Sequence, residues 1–240
     1  MIGRWCGTTP AIVVEIVQRD APLVDARRQW LTAIHRATRR TRSGKPYLAG
    51  VGSFSVSDTE TCTAYAFADR KYVGIDLEAY DRPDLRNISR RLGHVVAGSD
   101  EVVVDFLTRW VVKEACLKAL GLGLWPWIRN VRLLSRTAME ASVSMGTFEA
   151  QVGRIPMRAI TISLGQNLLG IAVPRHNDGG EIRVHHGDAI LAIGSARPDL
   201  RDQRVHRVAL TGRRAAIFKS SCPHVAATYS PPEGIVSPSP

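Results

Sequence analysis

Cysteine is scarce and scattered in this chain. Cys6, Cys62, Cys116 and Cys222 lie far apart, and no Cys-x-x-Cys pair occurs. That spacing speaks against a disulfide framework or a zinc site and makes a reducing cytoplasm the expected compartment. Long apolar runs are missing too: no stretch would cross a bilayer. The opening residues, Met1 to Cys6, lack the basic start and apolar stretch of a secretion signal. No close internal repeat is present. The 240 residues are 45% hydrophobic, enough for a substantial core in one large domain or two small ones.

Acidic residues are in short supply: 32 Lys and Arg stand against 22 Asp and Glu, a net charge of +10. The imbalance is local. Residues 1–45 carry nine basic groups against three acids, and residues 125–240 carry fourteen against eight. Between them, residues 46–124 carry nine against eleven. Basic flanks thus surround a mildly acidic centre. Basic surfaces attract nucleic acid, coenzyme phosphates or acidic proteins alike, so charge alone does not choose among them.

The acidic centre holds the informative motifs. In Gly74-Ile-Asp-Leu-Glu78, Ile75 and Leu77 alternate with Asp76 and Glu78. In a strand this puts two apolar side chains on one face and two carboxylates on the other. About thirty residues on comes Trp110-Val-Val-Lys113-Glu114-Ala-Cys-Leu-Lys118, followed by a Gly121-Leu-Gly123-Leu exit. This segment reads as helix, and Trp110, Glu114 and Lys118 follow one another at i, i+4 along one face. Two strand carboxylates and one helix carboxylate are the hard oxygen ligands that Mg²⁺ prefers, with positions left for water and substrate phosphates. Taken singly, the Asp-x-Glu could be an exposed strand face. Glu114 and Lys118 could equally be a surface ion pair contributing about 0.2–0.5 kcal/mol.

Together, Gly74–Glu78 and Trp110–Leu124 resemble the phosphopantetheinyl transferases, in particular the surfactin-type branch. The resemblance spans roughly residues 24–175. It implies an α+β fold of two pseudo-symmetric halves with the active site between them: residues 1–72 a shortened first half, residues 73–178 a second half. Residues 179–240 would be a C-terminal extension. It implies transfer of the 4'-phosphopantetheine arm of coenzyme A to a serine of an apo acyl or peptidyl carrier protein of polyketide or nonribosomal peptide pathways. Adenosine 3',5'-bisphosphate would leave. Asp76, Glu78 and Glu114 would hold Mg²⁺, Glu114 would also accept the serine proton, and Lys118 would neutralise phosphate charge. Lys113, about 100° round the helix from Glu114, is less directly placed. Lys45, in Gly44-Lys-Pro46, and Ser57 would contact coenzyme A. Arg39, Arg40 and Arg42 either add to that phosphate field or form a solvated face. A monomer, with no membrane or nucleic-acid partner, is expected. One residue departs from the pattern: Asp58 stands where a histidine is expected, and an acid there would repel the coenzyme phosphate.

Elsewhere the patterns predict strands at Ala11–Val17, Ser53–Ser57, Thr61–Phe67 and Lys71–Leu77, and a helix from Val24 to about Arg40 stopped by Gly44 and Pro46. Further helices are predicted at Leu85–Leu92 and Glu101–Leu120. Strands are predicted at Asn130–Leu134, Glu140–Val152 and around Ile160–Leu164, turning at Gly165–Asn167 into Leu168–Val173. Asn177–Gly180 reads as a domain end, and Arg183–Ile193 could add a strand. His185 and His186 are expected to be solvent-exposed, Cys116 a packed thiol and Trp110 a core anchor. The proline-rich last twelve residues read as disordered. Competing readings are a degenerate family member, a metal-dependent nuclease, and a basic nucleic-acid or partner-binding module using the six arginines of Arg197–Arg214.

Overall fold

The computed structural model describes residues 12–19, 33–34, 36–41, 44–48, 52–68, 72–91, 100–139, 145–177, 181–186, 189–193 and 208–211. Its strands, in chain order, are β1 (Ile12–Gln18), β2 (Thr38–Arg40), β3 (Pro46–Leu48), β4 (Gly52–Asp58), β5 (Cys62–Ala68) and β6 (Gly74–Ala79). After helices α1 (Leu85–Arg91) and α2 (Asp100–Leu120) come β7 (Val131–Met139), β8 (Met145–Val152), β9 (Ile155–Leu164) and β10 (Asn167–Pro174). The last are β11 (Ile182–His186), β12 (Ala189–Ile193) and β13 (Val208–Thr211). The class is α+β.

The strands form two sheets. The larger runs β13-β12-β11-β1-β5-β4-β3-β2, and the smaller runs β6-β10-β9-β8-β7. Only the β1–β11 ladder is parallel among the described pairs; it matches Ile12 with Ile182 through Ile16 with His186. Residues from both ends of the chain thereby join one sheet. The sheets pack face to face: Val14, Ile16, Ala64 and Ala66 of the larger share a buried core with Ile75, Leu77, Ile162, Leu169 and Ile171 of the smaller. Helix α2 covers the other face of the smaller sheet. Leu107, Val111 and Ala115, spaced by four, pack with Phe148, Met157, Ala159 and Leu168.

That layering sorts the side chains of β6. Ile75 and Leu77 are buried between the sheets, so Asp76 and Glu78 face the helix. Gly74 lets the helix come close: a Cβ there would lie 2.0 Å from the Ala115 carbonyl oxygen and 2.2 Å from the Ala119 nitrogen. Gly170, opposite Asp76 in the β6–β10 ladder, does the same against Val111. Gly121, at φ 69, ends α2 with its N–H bonded back to the Lys118 carbonyl.

Most predicted elements appear within a few residues of their expected ends. Three expectations need correction. Arg183–Ile193, expected to add one strand, holds two, Ile182–His186 and Ala189–Ile193, paired antiparallel. Thr38–Arg40, read as the end of a helix, is strand β2, paired antiparallel with Pro46–Leu48. The turn between them carries Gly44 at φ 84, so Gly44 and Pro46 belong to a hairpin rather than to a helix stop. The histidines expected in solvent are not there: His186 is buried, and His185 is half-buried with Nδ1 3.2 Å from Glu15. The rest of the Val24–Arg40 segment up to residue 32, Arg42, Cys222 to His224, the proline-rich end and the arginines of 194–207 and 212–214 lie outside the described residues. Cys116 is fully buried, and burial pushes its thiol up to about 12. Among the described residues no helix is long and apolar enough to cross a membrane.

Candidate active site

Strand β6, helix α2 and strand β4 converge on one cluster. Asp76 and Glu78 project from alternate positions of β6, and Glu114 from the fourth turn of α2. One oxygen of each lies within 4.8 Å of the others. At an effective dielectric of about 20, each pair of charges at that distance repels by roughly 3.5 kcal/mol. Cations and hydrogen bonds must offset this.

Lys118 supplies the first cation. Its ammonium donates to Asp76 Oδ1 at 2.6 Å and to Ser57 Oγ at 2.9 Å, with Glu114 Oε2 at 3.9 Å. Burial works against that charge, but Asp76 and Glu114 more than offset it and hold the ammonium above its usual range. Ser57 comes from the other sheet. Its hydroxyl donates to the same Asp76 oxygen at 2.9 Å. The alternate serines of β4 help dock the two sheets here: Ser53 and Ser55 accept the Val73 and Ile75 N–H groups, each at 3.0 Å.

Arg82 supplies the second cation. It sits four residues after Glu78, in the connection to α1, and donates to Glu78 Oε1. The Trp110 indole N–H reaches the same oxygen at 3.2 Å. Trp110 is buried, as a core anchor should be, and is also a polar partner.

Two cations against three carboxylates leave an excess of negative charge. A proton on Glu114 relieves it: burial first, then Asp76, pushes its carboxyl up to about 8. Glu78 is raised as well, by burial and then Asp76, against the pull of Arg82. Asp76 Oδ2 is buried and has no hydrogen-bond partner among the described residues. An orphaned carboxylate oxygen beside two acids driven towards protonation is the environment a divalent cation relieves, and an all-oxygen donor set suits a hard ion. The residues therefore fit Mg²⁺. Lys45 lies at the C-terminal end of α2. It donates to the Ala119 carbonyl and stands 5.4 Å from the centre of the Tyr72 ring, and burial lowers its ammonium to about 8. Lys113 is lowered by burial and then by Arg109, and does not join the cluster's hydrogen bonds. Asp58 points to the surface, where Arg19 pairs with it at 2.7 Å. Arg39 and Arg40 are exposed on β2.

Sequence reasoning assembled Asp76, Glu78, Glu114 and Lys118 and missed Arg82. Its only signal was a basic residue four after Glu78 in an Arg-Pro-Asp loop. The bonds from Ser57 to Asp76 and from Trp110 to Glu78 also went unforeseen.

Chemically, the arrangement can hold a divalent cation and set an ammonium beside a phosphate. A family model described as the 4'-phosphopantetheinyl transferase superfamily matches residues 72–158. The matched stretch contains every carboxylate of the cluster together with Arg82, Trp110 and Lys118; Lys45 and Ser57 lie before it. Proteins of this superfamily transfer phosphopantetheine, with coenzyme A as substrate and carrier proteins as acceptors. No curated protein matches the chain.

Proposed function

We propose that this chain is a surfactin-type 4'-phosphopantetheinyl transferase that converts an apo acyl or peptidyl carrier protein of secondary metabolism to its holo form. It would use coenzyme A and Mg²⁺ and act in the cytoplasm as a monomer. The observation that carries the proposal is the meeting of Asp76, Glu78 and Glu114 with Lys118 inside the segment that matches the superfamily.

On this reading the three carboxylates hold Mg²⁺, which when bound neutralises the coenzyme diphosphate. Ser57 and Lys118 orient Asp76 through one oxygen and leave the other for the ion. Two of the three ammonium donors of Lys118 are taken by Asp76 and Ser57; the third is left for a phosphate oxygen. Glu114, beside Asp76 and Lys118 on the exposed side of the cluster, accepts the proton of the carrier serine. Lys45 adds positive charge one residue beyond Lys118. The first half would run through residue 72 and the second through 178, with β11 to β13 as the extension.

The pairing of Asp58 with Arg19 supports an active enzyme over a degenerate one, because the acid at the expected histidine position has its own counter-ion. The test is release of adenosine 3',5'-bisphosphate from coenzyme A. Release should require both an apo carrier protein and Mg²⁺ and should disappear in Asp76→Asn. Release without a carrier, or undiminished in that variant, would refute the proposal.

A further inference from the structure

The two strand carboxylates are held in the same way. Asp76 receives two donors on Oδ1, from Ser57 and Lys118, and keeps Oδ2 without a partner among the described residues. Glu78 receives two donors on Oε1, from Arg82 and Trp110. In each case the paired donors fix one oxygen, and the carboxylate then has a defined orientation. Lys118, Ser57 and Trp110 are anchored by α2 and β4. Arg82 lies in the β6–α1 connection and has an anchor of its own. Asp84 takes Arg82 Nε and Nη2 on its two oxygens, the second at 3.1 Å. Asp84 is itself fixed, because its carbonyl accepts the Asn87 and Ile88 N–H groups at the start of α1. The planar fork of a guanidinium can serve two carboxylates at once; an ammonium cannot do so with the same geometry.

We propose that Arg82 is a positioning residue for the metal centre: tethered by Asp84, it aims Glu78 at the ion and so sets the affinity for the divalent cation. The inference rests on the metal-site reading given above. A purely electrostatic role has the opposite consequence. A positive charge beside a cation site weakens cation binding, so its removal would tighten binding. Orientation and charge therefore predict opposite signs.

The experiment is direct titration of Mn²⁺ into the full chain by calorimetry, without coenzyme A or carrier protein. Unfolding of each variant in EDTA is followed in parallel. Arg82→Gln should lose about 10- to 100-fold in Mn²⁺ affinity, the usual cost of removing a group that holds a metal ligand. Arg82→Lys, which keeps the charge and loses the fork, should recover only part of the loss. Asp84→Asn should shift affinity in the same direction by less. If Arg82→Gln binds Mn²⁺ as tightly as the unaltered chain, or more tightly, the inference is overturned. If that variant fails to fold, Arg82→Lys carries the test, and unchanged affinity there overturns it equally. A wild-type chain that binds no Mn²⁺ would remove the metal centre itself and this inference with it.

Discussion

Replacing Gly74 with alanine adds a single methyl group where the main chain of α2 already stands. The new Cβ would sit 2.0 Å from the Ala115 oxygen and 2.2 Å from the Ala119 nitrogen, where ordinary contact begins at 3.4 Å. The shortfall is more than an ångström, and both obstacles are backbone of the last two turns of α2, so no side-chain rotation relieves them. Overpacking of a core usually costs about 1–3 kcal/mol and sometimes more, and a clash with backbone belongs at the upper end. The alanine also restricts the unfolded chain, which returns about 0.4–1 kcal/mol. The net loss should be about 2 kcal/mol or more, which is more than a tenfold fall in the folding constant. Any relief requires α2 to move off β6, and that carries Glu114 away from Asp76 and Glu78. Gly74→Ala should therefore lower the urea midpoint and weaken Mn²⁺ binding together. Gly123→Ala is the control: its Cβ meets only the Trp125 oxygen at 3.8 Å. That variant should stay within about 0.5 kcal/mol of the unaltered chain. A Gly74→Ala protein with an unchanged midpoint would refute the close-approach reasoning.

Glu114 also makes stability depend on pH. Its carboxyl ionises at about 8 in the folded protein against an ordinary value of 4.5, so between those values the folded state keeps a proton that the unfolded chain has lost. Stability in EDTA should therefore fall as pH rises through that window, by up to about 1.4 kcal/mol per pH unit, and thermal melts at several pH values would measure it. Glu114→Gln, which mimics the protonated acid, should flatten the fall and also abolish the stabilisation given by added Mg²⁺. Lys118→Met removes the cation from an almost fully buried Asp76. In EDTA it should cost about 3 kcal/mol, the low end for breaking a buried pair because Lys118 is partly exposed; urea denaturation would detect this. Cys116, buried and raised to about 12, should resist thiol reagents in the folded protein and react at an ordinary rate once urea unfolds it.

The carboxylate cluster was legible because each contributing element is periodic. Asp76 and Glu78 share a face of β6 by alternation, and Trp110, Glu114 and Lys118 share a face of α2 by the i, i+4 rule. What could not be read depends on contacts between segments distant in sequence or held in irregular backbone. Ser57 reaches Asp76 only because β4, at the side of one sheet, lies against β6 at the edge of the other. Arg82 meets Glu78 and Asp84 through a loop, where no period tells which way a side chain points. His186 is buried because β11 lies parallel on β1, a pairing between the two ends of the chain with no local signature. In the described part of the stretch ending at Arg40, only Thr38–Arg40 was misread, since residues 33, 34, 36 and 37 are helical as expected. Gly44 and Pro46 punctuate a hairpin as readily as a helix end, and the pairing of Arg39 with Tyr47 decides between them. The domain limits drawn at 72 and 178 remain a proposal, and β11 to β13 extend the sheet begun by β1.

The most direct measurement is the intact mass of an apo peptidyl or acyl carrier protein after incubation with this chain, coenzyme A and Mg²⁺. The account predicts a gain of one phosphopantetheine arm, lost when the metal is chelated and lost again with Asp76→Ala. No gain across several apo carriers, from a chain that folds and binds Mn²⁺, would contradict it.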